Sequence, residues 1–227
     1  MADSRGQHPD AHPQPTPSRH LHGATTYPTL AQVFTYGLSW QGRELFGIRL
    51  TNKNITGTKP TFFLMAAIHA RELSTSELAL RFIEYLLSRY GVDGDATWLL
   101  DEQQVVVVPV ANPDGRVLAE QGFYQRKNMN NSNGGDCKVP PTVDDQYGTD
   151  LNRNSNFKWG TTGASTNPCD QTYRGPSATS EPETVALQDL IRSYFADQRG
   201  PGDTDAAPLT TTGTLITLHS FGNLVLK

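Results

Sequence analysis

The sequence predicts an α/β domain whose central sheet is buried between helices. Two short runs carry this expectation, Phe-Phe-Leu-Met-Ala-Ala-Ile at 62–68 and Val-Val-Val-Val-Pro-Val at 105–110. Each is nearly continuous in apolar residues, as strands covered on both faces are. Two segments with helical periodicity, 75–90 and 181–198, supply the covering layers. The 227 residues, 36% of them hydrophobic, suffice for one buried core.

Taken in order, residues 1–24 are rich in Pro, His, Gln and Ser and nearly devoid of apolar side chains. They read as a disordered tail, separate from a domain spanning 25–227. Four of the six histidines, His8, His12, His20 and His22, lie in this tail, where solvation is the reading and adventitious metal binding the alternative. Strands are expected at 44–51, 61–68, 104–110 and 214–219. The 75–90 helix presents Leu78, Phe82, Tyr85 and Leu86 as its apolar stripe, starts at a Ser74/Glu77 capping box and stops at Gly91. The 181–198 helix repeats the pattern with Ser180 and Glu183, then Leu187, Leu190, Ile191 and Tyr194, and Gly200-Pro201-Gly202 ends it. Between them, 123–179 is a long loop region dense in Asn, Gly, Pro and Thr, of the kind that serves function.

Composition excludes several classes of partner. A net charge of −4 and a pI near 5.8 provide no basic field for nucleic acid or anionic lipid. No stretch approaches the roughly 20 apolar residues of a membrane span, and the first 20 residues lack the apolar core of a secretory signal. The only cysteines, Cys137 and Cys169, both fall in the loop region. That placement favours a disulfide, which would point to an oxidising compartment, over two free thiols.

The chemistry concentrates at His69-Ala70-Arg71-Glu72, where an apolar strand gives way to a loop, and at His219, which ends another apolar run. Two ligands three apart plus one from a distant strand make a three-donor set with an open position, the arrangement of a catalytic zinc. The plainer reading of the tetrapeptide alone is an edge histidine and a solvated glutamate at a helix cap. A second strand-terminal histidine argues against it. Arg71, Arg126, Lys127, Asn152 and Arg153 lie in the loops around that edge. An Asn-Arg pair suits a carboxylate, and an arginine beside a metal suits an oxyanion. Pairing of these arginines with Asp144, Asp145 and Asp150 is the alternative.

The sequence resembles the M14-type zinc carboxypeptidases, most closely their bacterial, carboxypeptidase T-like branch. The matching segments, in family order, begin with His69-Ala70-Arg71-Glu72, Asn112-Pro113-Asp114-Gly115 and Arg126-Lys127-Asn128. They continue with Gly148-Thr149-Asp150-Leu151-Asn152-Arg153-Asn154, Tyr173-Arg174-Gly175 leading to Ser180-Glu181-Pro182-Glu183, and His219-Ser220-Phe221. The resemblance implies a mixed, largely parallel sheet with helices on both faces. It implies one zinc ion held by His69, Glu72 and His219, with Arg126 supporting the oxyanion and Asn152 and Arg153 gripping the substrate's terminal carboxylate. Arg71 matches a position on the substrate's path of approach, and Phe221 stands where the family often has a tyrosine lining the subsites. The implied activity is hydrolysis of the C-terminal bond of peptides or proteins by zinc-activated water, in a secreted monomer.

Two departures qualify that expectation. Tyr27-Pro28-Thr29-Leu30 reaches Gly42-Arg43 almost directly, so a packing helix of the family is expected to be missing. The family's general-base glutamate lies downstream of the third zinc ligand and has no counterpart here, so the sequence reads as a C-terminally shortened member with an incomplete sheet. A non-catalytic zinc- and carboxylate-binding module is therefore the alternative. An amidase of the same fold acting on cell-wall peptides is a further one.

Overall fold

The structure, a computed structural model, describes residues 25–202 and 204–220. The tail expected at 1–24, with its four histidines, and Phe221 lie outside them. Five strands form one mixed sheet in the order β1-β2-β4-β3-β5. These are β1 Ala31–Leu38, β2 Glu44–Leu50, β3 Thr61–Met65, β4 Gln104–Val108 and β5 Thr214–Thr217. β2 pairs antiparallel with β1 and β4, whereas β3 runs parallel to both β4 and β5. The parallel part is the part that carries the candidate donors.

Alternation along the two central strands divides the core. Leu64, Val105 and Val107 face α1 (Leu73–Arg89) and α2 (Gly94–Glu102), packing with Ile83, Leu86, Ala96 and Leu100. Phe63, Met65, Val106 and Val108 face α4 (Pro182–Tyr194), packing with Leu187, Leu190, Ile191 and Tyr194. Helices thus cover both faces, and β4 is buried from Val105 to Val108. β5 differs: Leu215 and Ile216 are 41% and 40% exposed, although β5 pairs with β3 from Thr214 to Thr217.

Several expectations are corrected. Strand β1 occupies the residues between Leu30 and the 39–43 turn, where no strand is expected from sequence. Its residues do not alternate cleanly, and its register shifts between Thr35 and Gly37. Gly37 is required there, since a Cβ would stand 2.6 Å from that of Ala186 on α4. α1 buries Thr75, Ser76, Ala79, Ile83, Leu86 and Leu87, while Leu78 and Tyr85 face outward. The contact face therefore keeps Leu86 and Phe82 of the expected stripe but turns toward Ala79, Ile83 and Leu87. Neither capping box forms. Glu72 is the N-cap of α1 without a side-chain cap bond, and Glu77 pairs instead with Arg81. At α4, Glu181 is the N-cap and Glu183 is buried, and α4 ends at Tyr194, well before Gly200.

Two short helices were not expected. In α2, Asp93 accepts from the N–H groups of Asp95 and Ala96. In α3 (Pro113–Glu120), Asn112 accepts from Gly115 N–H and Pro113 stands in the first turn. Within the long loop, Cys137 and Cys169 are joined in a disulfide that closes a separation of 32 residues. In the loop-entropy account that closure contributes about 4 kcal/mol.

Candidate metal centre

The C-terminal edge of the parallel strands is where the chain gathers polar groups. β3 ends at Met65, and Ala67 takes a left-handed φ of 49° that swings the chain out of the sheet. This bend is held by Thr75, whose hydroxyl accepts from Ala67 N–H and donates to the Glu72 carbonyl. His69 and Glu72 are thereby turned to one side at the start of α1, both buried. β5, parallel to β3 and beside it, brings His219 to the same edge.

Three donor atoms converge. His69 Nδ1 is 3.0 Å from Glu72 Oε1 and 3.0 Å from His219 Nδ1, which is itself 3.1 Å from Glu72 Oε2. Zinc with ligand distances of 2.0–2.1 Å in tetrahedral array would set its donors about 3.3 Å apart, close to these separations. Two imidazole nitrogens facing each other at 3.0 Å can share only one proton, so the lone pairs converging here suit a cation. His69 Nε2 is buried without a good hydrogen bond, its nearest acceptor being Asp150 Oδ1 at 3.4 Å. With Nδ1 given to a metal, Nε2 carries the proton and Asp150 is placed to receive it, the usual carboxylate–histidine support of a metal ligand. The residues present therefore fit zinc.

Asp150 has a second partner, accepting from Nε and Nη2 of Arg126 at 3.1 and 2.8 Å. Arg126 Nη1 faces the donors, 3.3 Å from His69 Nδ1. Burial pushes the Asp150 carboxyl up, but hydrogen bonding to His69 and the Arg126 charge outweigh it and hold it below the usual range. Glu72 follows the same pattern, with hydrogen bonds from His219 and His69 overcoming burial. Both carboxylates are thus ionised and committed.

The remaining predicted residues are distributed around this centre. Arg71 is half-buried, and burial and then the Arg126 charge lower its pKa. Its Nη2 donates to Gln171 Oε1 at 2.8 Å. Asn152 and Arg153 lie on a short 3-10 turn, Leu151–Arg153, opened by Asp150, whose Oδ1 accepts from Asn152 N–H. Asn152 is exposed, and Arg153 donates to the carbonyls of Gly163 and Asn152. Lys127, fully buried, donates to the carbonyls of Pro168 and Asp170, and burial lowers it to about 8. Gly148 lets this loop close: at φ 100°, a Cβ there would stand 2.0 Å from the Asn128 carbonyl oxygen. Of the aspartates offered as alternative partners for these arginines, it is Asp150 that pairs with Arg126. Gln171 and the bend at Ala67 carried no signal of their own in sequence, and the approach of Asp150 to His69 was not expected.

Comparison with known proteins agrees with this geometry. The zinc carboxypeptidase family profile matches residues 21–227. A metallocarboxypeptidase A-like protein of Trichophyton verrucosum (strain HKI 0517) is 37% identical over 172 residues, covering 75% of this chain and 37% of that protein. Human carboxypeptidase B is 31% identical over 204 residues, covering 89% of this chain and 43% of its own length. Among solved structures, carboxypeptidase A of Helicoverpa armigera superposes with a TM-score of 0.67 at 31% identity, covering 77% of this chain and 40% of that one. The chain thus spans about two fifths of the length of these relatives.

Proposed function

The chain belongs to the zinc carboxypeptidase family, and on that premise we propose that it binds one zinc ion through His69, Glu72 and His219 and carries the metal-binding part of an exopeptidase acting on peptide C-termini. The observation that carries this reading is the convergence of two imidazole nitrogens and a carboxylate within 4.8 Å of one another at the end of parallel strands. When bound there, zinc supplies Lewis-acid polarisation of a carbonyl and activation of water for attack on it.

The chain's own residues supply the rest. Asp150 fixes the His69 ring and holds Arg126 by two N–H groups, leaving Nη1 to meet the oxyanion on the substrate carbonyl. Asn152 and Arg153 receive the terminal carboxylate, for which Arg153 exchanges a carbonyl partner for the ligand. Arg71 binds the peptide nearer its point of approach, and Phe221 offers an aromatic contact. A monomer in an oxidising, extracellular setting is the corresponding context, given the disulfide. Among the described residues no helix is long and apolar enough to cross a membrane.

A second reading, a non-catalytic module that binds zinc and a carboxylate, is favoured by one observation. Glu72 and Asp150 are both committed, one to the donor set and one to His69 and Arg126, so neither is available as the general base. Both readings are tested on the purified chain by counting zinc and following hydrolysis of an N-blocked dipeptide with a free C-terminus, with and without chelator. Turnover that the chelator abolishes supports the enzyme. One zinc per chain without turnover supports the module, and a chain that retains no zinc overturns both.

A further inference from the structure

Arg71 stands between two proposed zinc ligands in sequence, yet its side chain is hydrogen-bonded to a distant loop. Its Nη2 reaches across 100 residues of chain to Gln171 Oε1 at 2.8 Å, and its Nη1 is buried without a partner. A long, cationic side chain loses much rotamer freedom when fixed, so the residue that fixes it must itself be held.

Gln171 is. The segment 165–173 is tied down on both sides of it. On the near side, Cys169 is bonded to Cys137, and the buried Lys127 ammonium donates to the Pro168 and Asp170 carbonyls. On the far side, the Tyr173 carbonyl accepts from Asp150 N–H, and the Tyr173 ring lies 5.7 Å from Lys127 Nζ. A loop serving only as a connection would not need a fully buried lysine spent on its backbone. Because Lys127 follows Arg126 and Tyr173 is bonded to Asp150, the strap is referenced to the same residues that support the metal centre.

We propose that Gln171, presented on this strap, is the positioning residue for Arg71 and sets the affinity of the site for the acceptor oxygens of a bound peptide. A neutral amide is suited to the task. It accepts one guanidinium N–H without neutralising the charge, so Arg71 keeps its cationic character and an Nη1 group not yet hydrogen-bonded, which a ligand oxygen can satisfy once the guanidinium turns toward it. The role of Arg71 in peptide binding rests on the carboxypeptidase reading above. The positioning by Gln171 does not.

The test separates the two. Gln171→Leu removes the acceptor at similar volume, and Gln171→Glu restores an acceptor. Arg71 is labelled with phenylglyoxal and quantified by peptide mass spectrometry against the exposed Arg81, after confirming an intact disulfide and an unchanged melting profile. In Gln171→Leu the labelling of Arg71 is expected to rise about fivefold and in Gln171→Glu to return towards wild type, as loss and recovery of one part-buried hydrogen bond of ordinary strength would give. With an N-blocked tripeptide, KM or the equilibrium Kd should rise in Gln171→Leu by a similar factor while kcat changes little and zinc content not at all. Unchanged Arg71 labelling in Gln171→Leu overturns the proposal. A labelling response in a chain whose wild type neither binds nor hydrolyses the tripeptide upholds the positioning and defeats the carboxypeptidase reading instead.

Discussion

His69 and Glu72 stand buried beyond the carboxyl end of β3, with 4% and 6% of their side chains exposed, whereas His219 follows the edge strand and is 26% exposed. The first pair is fixed by the bend at Ala67, by Thr75, and by Asp150 with Arg126 behind the His69 ring. His219 is placed by the pairing of β5 with β3 and by the Glu72 carboxylate, which also accepts from Ser220 N–H. Two of the three candidate donors are therefore preorganised by the core, while the third depends on one strand pairing.

Removing donors should break this comparison most visibly. His69→Ala is expected to weaken zinc binding by at least about 10³-fold and His219→Ala by nearer 10²-fold, since only the first also unseats a supporting carboxylate. Competition titration against a chelator of known affinity measures both, and an equal or larger loss in His219→Ala would contradict the asymmetry.

A second effect lies behind the buried half. Glu183 is buried, accepts from Trp40 N–H and Asn128 Nδ2, and is raised to about 7, chiefly by burial, with Asp114 adding to it. An acid whose folded pKa lies above its unfolded value of 4.5 keeps its proton longer in the folded state. Stability should therefore fall as pH rises from about 4.5 to 7, by up to about 3 kcal/mol, and level off above. Glu183→Gln should flatten that slope in urea melts at pH 5, 6 and 8. A slope the same as wild type would place the pH dependence elsewhere.

Asp150→Asn sharpens the comparison further. It keeps an acceptor for Asn152 N–H but loses the charge that faces His69 and Arg126, so zinc affinity should drop about 10- to 100-fold with secondary structure intact. The smallest effect concerns the edge. Zinc should slow amide exchange in 214–220 by about tenfold while leaving 104–108 nearly untouched, because ligation adds to β5 a restraint that β4 already has from its neighbours. Uniform protection would mean that both halves are equally preformed.

The sequence made the convergence of His69, Glu72 and His219 legible because these residues sit in short motifs at strand ends, and the central strands because Val105 to Val108 and Phe62 to Met65 are continuous apolar runs, although β3 and β4 stop at Met65 and Val108, short of the expected 68 and 110. Elements that depend on partners were less readable. β1 takes its form from pairing with β2 and from the contact of Gly37 with Ala186, and neither is a local signal. The contact face of α1 was legible in part: Leu86 is buried and Phe82 packs on the core as expected, whereas Leu78 and Tyr85 face outward and Ala79, Ser76, Ile83 and Leu87 fill the face instead. Glu181 and Glu183 looked like helix-start residues, yet the loop turns its amide groups, Asn128 and Asn130, toward them and draws both inward. Asp150 belonged to a recognisable motif, but its service to both His69 and Arg126 exists only once residues 69, 126 and 150 share one corner of the fold.

The separation of 150 residues between His69 and His219 also has a consequence during synthesis. At about 5–20 residues per second, the ribosome delivers the last donor some 8 to 30 s after the first. With the zinc ligands as proposed, the nascent chain holds for that interval a half-site of two donors, and stable loading is expected only once β5 has been made and has docked on β3.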